Sequence, residues 1–414
     1  MIKKFIDSRG KKDMRDVSCM VIDSYNQIDQ VLEKEWDELI IRTRSSIYLT
    51  CAWSRIWWEF YGKGKVLRIF IFRCDGKLAG VMPIYIEKLW FGFVKTHVAR
   101  LVGAYNPPRV FDLPILKEYS SAIGEHMVRH IVGTDRCDLI SIGPVSDECE
   151  AKKVLFAAVE KMTDHLRIAR DVPFGVYTYF DLPDTYEAYM RSLSKNERRN
   201  HQRYYKKLLY NEDDVRLVVM HEPDEIEAEM PQFIDLHTEQ WGATGRPGWF
   251  GAWPQSDAFN RRLAVELARL GRTNLIKITV GEEPILYLYS YIFGNCCYAQ
   301  LSARSVGEKW NRFSLGKTVL VVLIRSAIEI GIKRIEAGQS HYDYKTRLGG
   351  KESGISVLRL ISRRPSSIAK YHLCAALYKL YYNFYYRFWY TRVQPKLPSF
   401  FRRPIWMAYI RRIF

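Results

Sequence analysis

The chain has 414 residues, 48% of them hydrophobic, with 63 Lys and Arg against 46 Asp and Glu. That length suits two or three domains, and the apolar content excludes disorder driven by composition. The net charge of +17 is uneven: after Glu352 there is no acid, and twelve of the excess positive charges lie in residues 353–414.

Residues 1–20 are polar and charged and read as a flexible leader. Asp7, Arg9 and Asp13 interrupt any apolar run there, which argues against a signal peptide. A helical pattern covers Ile28 to Ile41, and Trp53, Ile56, Trp57 and Phe60 recur at helical spacing. Val66 to Arg73 and Leu78 to Ile86 form a predicted hairpin around Cys74-Asp75-Gly76-Lys77. A strand at 96–102, a helix near 119–133, a strand at 137–142 and a helix near 148–165 close this half.

Ser194-x-x-Glu197 opens a basic helix with a capping-box pattern. Residues 224–240 read as another helix. The hairpin plan then returns: Asn274 to Val280, the turn Gly281-Glu282-Glu283-Pro284, and Ile285 to Phe293. A strand from Cys296 to Ser302, a helix from Leu315 to Ile330, and strands at 332–337 and 355–362 complete it. Hairpin, strand, helix and strand thus recur after roughly 200 residues, which predicts two copies of one α/β unit.

The eight cysteines form no CxxC pair and no zinc spacing, so they read as free thiols and no metal is expected. No run of about 18 apolar residues exists, so no transmembrane helix is predicted.

Five elements in order carry a family likeness: Trp53 and Trp57 before Asp75-Gly76; the LSKNERRNHQR segment from Leu193; Leu236, His237, Trp241, Gly245 and Phe250; Gly316 before an apolar helix; and Asp343-Tyr344-Lys345. From about residue 30 to 362 the chain resembles the GNAT-superfamily acetyltransferases called BioF2-like or CelD-like, relatives of the Fem-type peptidyl transferases. The resemblance departs at Leu315-Gly316, where Pro-Gly is common, and at Glu336-Ala337-Gly338, where an Asp-rich strand is common.

The resemblance implies an α/β fold of two tandem GNAT-like subdomains, each a mixed, mostly antiparallel sheet flanked by helices. The expected division is a leader (1–20), an N-terminal subdomain (21–190), a C-terminal subdomain with the donor site (191–362) and a basic aromatic helical tail (363–414). It further implies acyl transfer from an acyl-CoA or acyl-carrier thioester to a primary amine such as an amino sugar or amino acid, in polysaccharide or lipid-related biosynthesis.

That chemistry needs an anchored donor, a proton acceptor for the amine, and stabilisation of the oxyanion and thiolate. Donor anchoring falls to Arg312, Ser314, Leu315, Gly316, Lys317 and Thr318, where Ser314 caps the helix and its N-terminus receives a phosphate. Gln300 and Ser302 on the preceding strand line the pantetheine arm. Glu336 or His341 accepts the amine proton and Tyr344 protonates the thiolate. His237, Trp241, Asp343 and Lys345 are expected to bind substrate.

The first half, with Leu101–Val110 in place of a Ser-x-Gly helix start, is expected to be structural. The tail from Tyr371 has fifteen aromatic residues among 44, mixed with arginine. That composition suits an anionic membrane surface, packing against the body or a partner, or RNA. The expected location is cytoplasmic, peripheral at the membrane's inner face. Two rival functions stand: a Fem-type transferase fed by aminoacyl-tRNA, and a non-catalytic membrane-surface scaffold.

Overall fold

The computed structural model describes residues 17–91, 94–105, 109–210, 214–244, 248–311, 314–393 and 396–398. The N-terminal half runs β1 (Val17–Ile22), α1 (Gln30–Thr43), α2 (Cys51–Tyr61), β2 (Val66–Cys74), β3 (Lys77–Phe91) and β4 (Val94–Leu101). It continues with α3 (Ser120–Val128), β5 (Leu139–Ser146), α4 (Glu150–Val159) and β6 (Leu166–Asp181). The C-terminal half opens with α5 (Tyr186–Ser192), α6 (Lys195–Tyr210), β7 (Val215–Met220), α7 (Pro223–Gly242), α8 (Gly248–Ala252) and α9 (Ser256–Arg269). Then come β8 (Thr273–Val280), β9 (Glu283–Phe293), β10 (Cys296–Arg304), α10 (Glu308–Asn311), α11 (Leu315–Glu329), β11 (Arg334–Gln339), α12 (Asp343–Arg347) and β12 (Lys351–Ser362). Helix α13 (Pro365–Tyr382) passes into a π-helical stretch, Asn383–Val393.

Among the described residues, twelve strands form one sheet in the order β1-β2-β3-β4-β5-β12-β6-β11-β10-β9-β8-β7. The order is symmetric about its centre. Each half supplies a meander of antiparallel strands and one parallel pair, β4 with β5 and β10 with β11. The sixth strand of each half is exchanged. β12 pairs with β5, β6 pairs with β11, and β6 and β12 pair with each other along most of their length. The two halves therefore share one sheet.

The hairpins follow their turn chemistry. Asp75 and Gly76 both have positive φ, 50° and 76°, which an Asp-Gly pair adopts at little cost in a tight hairpin turn. The capping box is half realised: the Ser194 hydroxyl accepts from the Glu197 amide at 3.2 Å.

The largest core joins both halves and, in the C-terminal half, lies on one sheet face. Trp36, Trp53 and Trp57 are fully buried in it. Each removes on the order of 200 Å² from water, worth about 5 kcal/mol before entropy. Trp53 meets Phe259 of α9 edge to face at 6.0 Å between ring centres, so α2 docks directly on the other half. A second core places α11 against β8 to β11 on the opposite face. Buried Lys152 of α4 ties the halves again: its Nζ donates to Asp147 Oδ1 and Ser356 Oγ, both at 2.6 Å.

Three expectations need correction. Val17–Met20 are not leader but edge strand, paired with 71–74 of β2. The helix expected to run to 165 stops at Val159. Strand β6 has no counterpart among the predicted elements, because Arg170, Asp171, Pro173 and Gly175 break its apolar alternation. The start of the tail packs against the body, one of the readings that its composition allowed: Tyr371 packs with Val98, Leu139 and Ile361, and Cys374 with Val94. Ser367 and Lys370 donate to buried Asp138 at 2.6 and 3.0 Å.

Candidate active site

The parallel pair β10–β11 is short. Cys296, Cys297 and Tyr298 face Arg334, Ile335 and Glu336, and there the pairing ends. β10 bulges between Ala299 and Leu301 while continuing along β9 to Arg304. β11 turns away to pair Gln339 with Tyr177 of β6. Two strands that start together and then diverge leave a wedge whose backbone groups need other partners.

The N-terminal half makes the same wedge and fills it. β4 and β5 also pair over three residues, Val98 to Arg100 with Leu139 to Ser141. Residues 109–116 then enter the gap. Phe111 donates to the Pro144 carbonyl at 2.9 Å and accepts from Ser146 at 3.0 Å, and Val81 donates to Pro114. Phe111, Leu113 and Ile115 are buried there. Gly103, at φ +83°, passes so close to the Trp53 ring that a Cβ would lie 2.6 Å from it. This plug gives a physical reason for reading the first half as structural.

At the C-terminal wedge, α11 begins without a side-chain cap. Ser314 takes a left-handed conformation, φ 50°, and makes no capping hydrogen bond, which corrects its expected role. Leu315 is buried and Gly316 is exposed, with only the Arg304 side chain within 4 Å of where a Cβ would stand. Arg312 lies outside the described residues. Lys317, Thr318 and Tyr344 come together in a small pocket between α11, α12 and α6, where Asn200, His201 and Arg347 join them. Burial and nearby Arg325 push His201 down to about 4, so it is neutral at pH 7. Burial and Tyr342 raise the Tyr344 phenol.

A polar centre sits beside the wedge. Glu336 points inward from β11. Its Oε1 accepts from Arg334 Nε at 2.7 Å, while buried Oε2 has no partner among the described residues. Burial, then Asp112 and Glu148, raise its carboxyl well above the usual range despite that arginine. The same guanidinium also serves Glu148 and Asp181 and stacks on Tyr179, 3.7 Å from the ring centre. Half-buried Asp112, from the plug, is pushed up to about 6 by burial, and its buried Oδ1 is unpartnered among the described residues.

Gln300 reaches from β10 to Tyr48, donating to its hydroxyl at 2.7 Å, and its buried Oε1 has no partner among the described residues. Tyr48 lies under Arg109, with 5.0 Å between guanidinium carbon and ring centre. Residue-type reasoning missed Tyr48, Arg109, Asp112 and Glu148. Their available signal was the polar pair Arg109 and Asp112 inside a stretch that is otherwise apolar.

Other expected site residues have different work. His237 is buried, with Nδ1 donating to the Ser302 carbonyl at 3.0 Å and Nε2 accepting from the Trp249 amide at 3.1 Å. Burial lowers its pKa, so it is a neutral brace between α7, β10 and α8 and not a substrate contact. Ser302 is thereby occupied at its outward carbonyl, and Gln240 likewise accepts from the Arg304 amide. Trp241 is half-buried beside His237, 6.1 Å between rings. His341 is exposed and held between Glu352 at 2.7 Å and Asp343 at 2.9 Å. Those bonds raise its pKa and favour the imidazolium, which makes it a poor base. Lys345 is buried, donates to the Ala337 carbonyl at 2.6 Å, and is pushed down to about 8 by burial. It fastens α12 to β11 and does not present an ammonium to an anion. Exposed Asp343 meets only His341 in this neighbourhood.

Among the described residues all eight cysteines are free thiols, and no helix is long and apolar enough to cross a membrane. No group of three or more His, Cys, Asp or Glu side chains is placed to hold a metal ion among them.

Residues 195–346 match the family model for an acetyltransferase (GNAT) domain. No curated protein matches the sequence at a significant level. Among solved structures, FemX is similar with a TM-score of 0.58 at 9% identity, covering 80% of this chain and 96% of that one. A conserved protein of unknown function from Bacteroides thetaiotaomicron VPI-5482 gives 0.50 at 8% identity, covering 80% and 97%. A tandem GNAT protein from the clavulanic acid biosynthesis pathway gives 0.42 at 12% identity, covering 84% and 99%. Residues 195–346 of the C-terminal half thus match a GNAT acetyltransferase domain, and the fold of the chain is similar to that of FemX.

Proposed function

We propose that the chain is an N-acyltransferase of the BioF2-like kind, moving an acyl group from an acyl-CoA or acyl-carrier thioester to a primary amine. The observation that carries this reading is the β10–β11 wedge, which no strand pairing fills among the described residues, with α11 starting at one side and half-buried Glu336 at the other. In this reading the thioester lies in the wedge, and its phosphates meet the exposed start of α11 at Gly316 and Lys317.

The amine nitrogen attacks the thioester carbonyl. A C–N bond forms, the C–S bond breaks, and one amine proton must leave. Burial raises the proton affinity of both Asp112, to about 6, and Glu336, which suits a proton acceptor. Tyr344 keeps its proton at neutral pH and is the donor to the departing thiolate.

Thermal-shift screening of the full chain against CoA thioesters of graded length tests the donor class. Stabilisation is expected, together with amine-dependent CoA release, and Gly316→Trp should abolish both while leaving the fold intact. Absence of stabilisation by every thioester, with transfer RNA binding that falls steeply with salt, would replace this reading by a Fem-type aminoacyl transferase.

For the tail, the membrane-surface reading is supported by Leu380, Phe384 and Phe388. They are exposed at four-residue intervals, with Lys379 and Arg387 adjacent in sequence.

A further inference from the structure

Arg109 is 93% buried, yet Nε and Nη2 make no hydrogen bond and no carboxylate pairs with it among the described residues. Guanidinium groups do not deprotonate in proteins, so this is a fixed buried charge without a counterion. Leaving such a group unpaired is costly, and native sites keep that cost where a ligand relieves it.

The two orphaned atoms are the two donors along one edge of the fork. A carboxylate takes that edge with two parallel hydrogen bonds. The guanidinium plane is fixed by aromatic rings: its central carbon lies 5.0 Å from the Tyr48 ring centre and 5.4 Å from that of Trp249. Tyr48 in turn accepts from Gln300 of β10, which places the fork next to the wedge. A dianionic phosphate would want more donors than one edge offers.

From this geometry we infer that Arg109 binds the carboxylate of the acceptor, so that the acceptor is an amino acid or a molecule ending in one. The inference rests on the acyl-transfer reading for the fate of the amine. It deepens that reading by naming the acceptor class, and it gives the plug of the N-terminal half a function: the segment that closes one wedge supplies a recognition residue to the other.

The test is calorimetric titration of the full chain, without donor, with a panel of free amino acids, their carboxamides and inorganic phosphate. At least one acid is expected to bind, with its carboxamide weaker by about 100-fold or more, because the amide leaves the buried fork unpaired. Arg109→Gln should shrink that ratio to a few-fold, and Arg109→Lys, which keeps charge without the fork, should fall between. Both variants should keep the wild-type thermal midpoint or exceed it, since an unpaired buried charge is removed or made mobile. Equal binding of acid and amide, no amino-acid binding, phosphate binding tighter than any acid, or discrimination that survives Arg109→Gln each overturns the inference. Thioester binding without amino-acid binding would remove this inference and keep the acyl-transfer reading. Amino-acid binding without any thioester would do the reverse.

Discussion

Asp112 raises the proton affinity of Glu336, although the two come from opposite halves of the chain. Burial is the larger cause, and Glu148 adds to it. A carboxylate whose affinity for protons is raised toward neutrality is the better proton acceptor. Glu336→Gln should therefore lower kcat by about 10²–10⁴. Its fold should persist, because the amide keeps the size of the carboxyl and an Oε1 acceptor for Arg334. Wild-type kcat in this variant would remove Glu336 from the chemistry.

The same burial has a price in stability that pH exposes. Asp112 binds its proton more tightly folded, at about 6 against an ordinary 3.8. The folded state therefore holds more protons between those values, and stability falls as pH rises through about 4 to 6 and stays lost above. The full effect is on the order of 3 kcal/mol. Asp112→Asn should raise the denaturation midpoint at pH 7 and erase the gain on acidification to pH 5. An unchanged midpoint at both values would show the carboxylate to be hydrated.

His201 works with the opposite sign. It is held down to about 4, so the unfolded chain takes up a proton that the folded chain refuses. Its contribution is destabilising below about 6.5 and grows as pH falls toward 4. His201→Gln should flatten that acid limb, while leaving the pH 7 midpoint within about 1 kcal/mol. An acid limb as steep as the wild type's would place the titration elsewhere, with His237 as the next candidate because burial also lowers it.

How much of this could be read in the residues depends on whether the signal is local. Asp75-Gly76 and Ser194-x-x-Glu197 carry their geometry within four residues, and both gave the turn and helix start expected of them. Strand exchange has no local signature: nothing in Lys351–Ser362 says that its neighbours will be β5 and β6. The site divided the same way. Lys317, Thr318 and Tyr344, expected on separate grounds, meet in one pocket. His237 and His341 carried the right chemistry for a site, but only coordinates show one nitrogen pair spent on backbone and the other locked between two acids. Arg109 and Asp112 were passed over because their importance comes from the gap they enter.

That gap yields another prediction. Phe111 is fully buried and bonded on both sides of its backbone to β5. Phe111→Ala should cost about 3–5 kcal/mol in denaturant unfolding, the usual penalty for emptying an aromatic site. Because the plug also carries Arg109 and Asp112, acceptor use should suffer more than thioester binding. A variant that loses both equally would show that the plug supports the whole sheet and does not act on the acceptor side in particular.

The tail is best tested without cutting it from the body. Asp138 receives Ser367, Lys370 and the His97 amide, so removal of everything after residue 362 would strip partners from a buried carboxylate. Such a truncation confounds membrane binding with folding. The triple variant Leu380→Ser, Phe384→Ser and Phe388→Ser changes only exposed apolar side chains. It should keep the thermal midpoint and reduce flotation with vesicles containing phosphatidylserine, since each apolar side chain withdrawn from the interface forfeits about 1.5–3 kcal/mol at full burial. Undiminished flotation would assign membrane contact to residues past 393 or to charge alone. Raised salt separates these two outcomes, because charge attraction fades with ionic strength and apolar insertion does not.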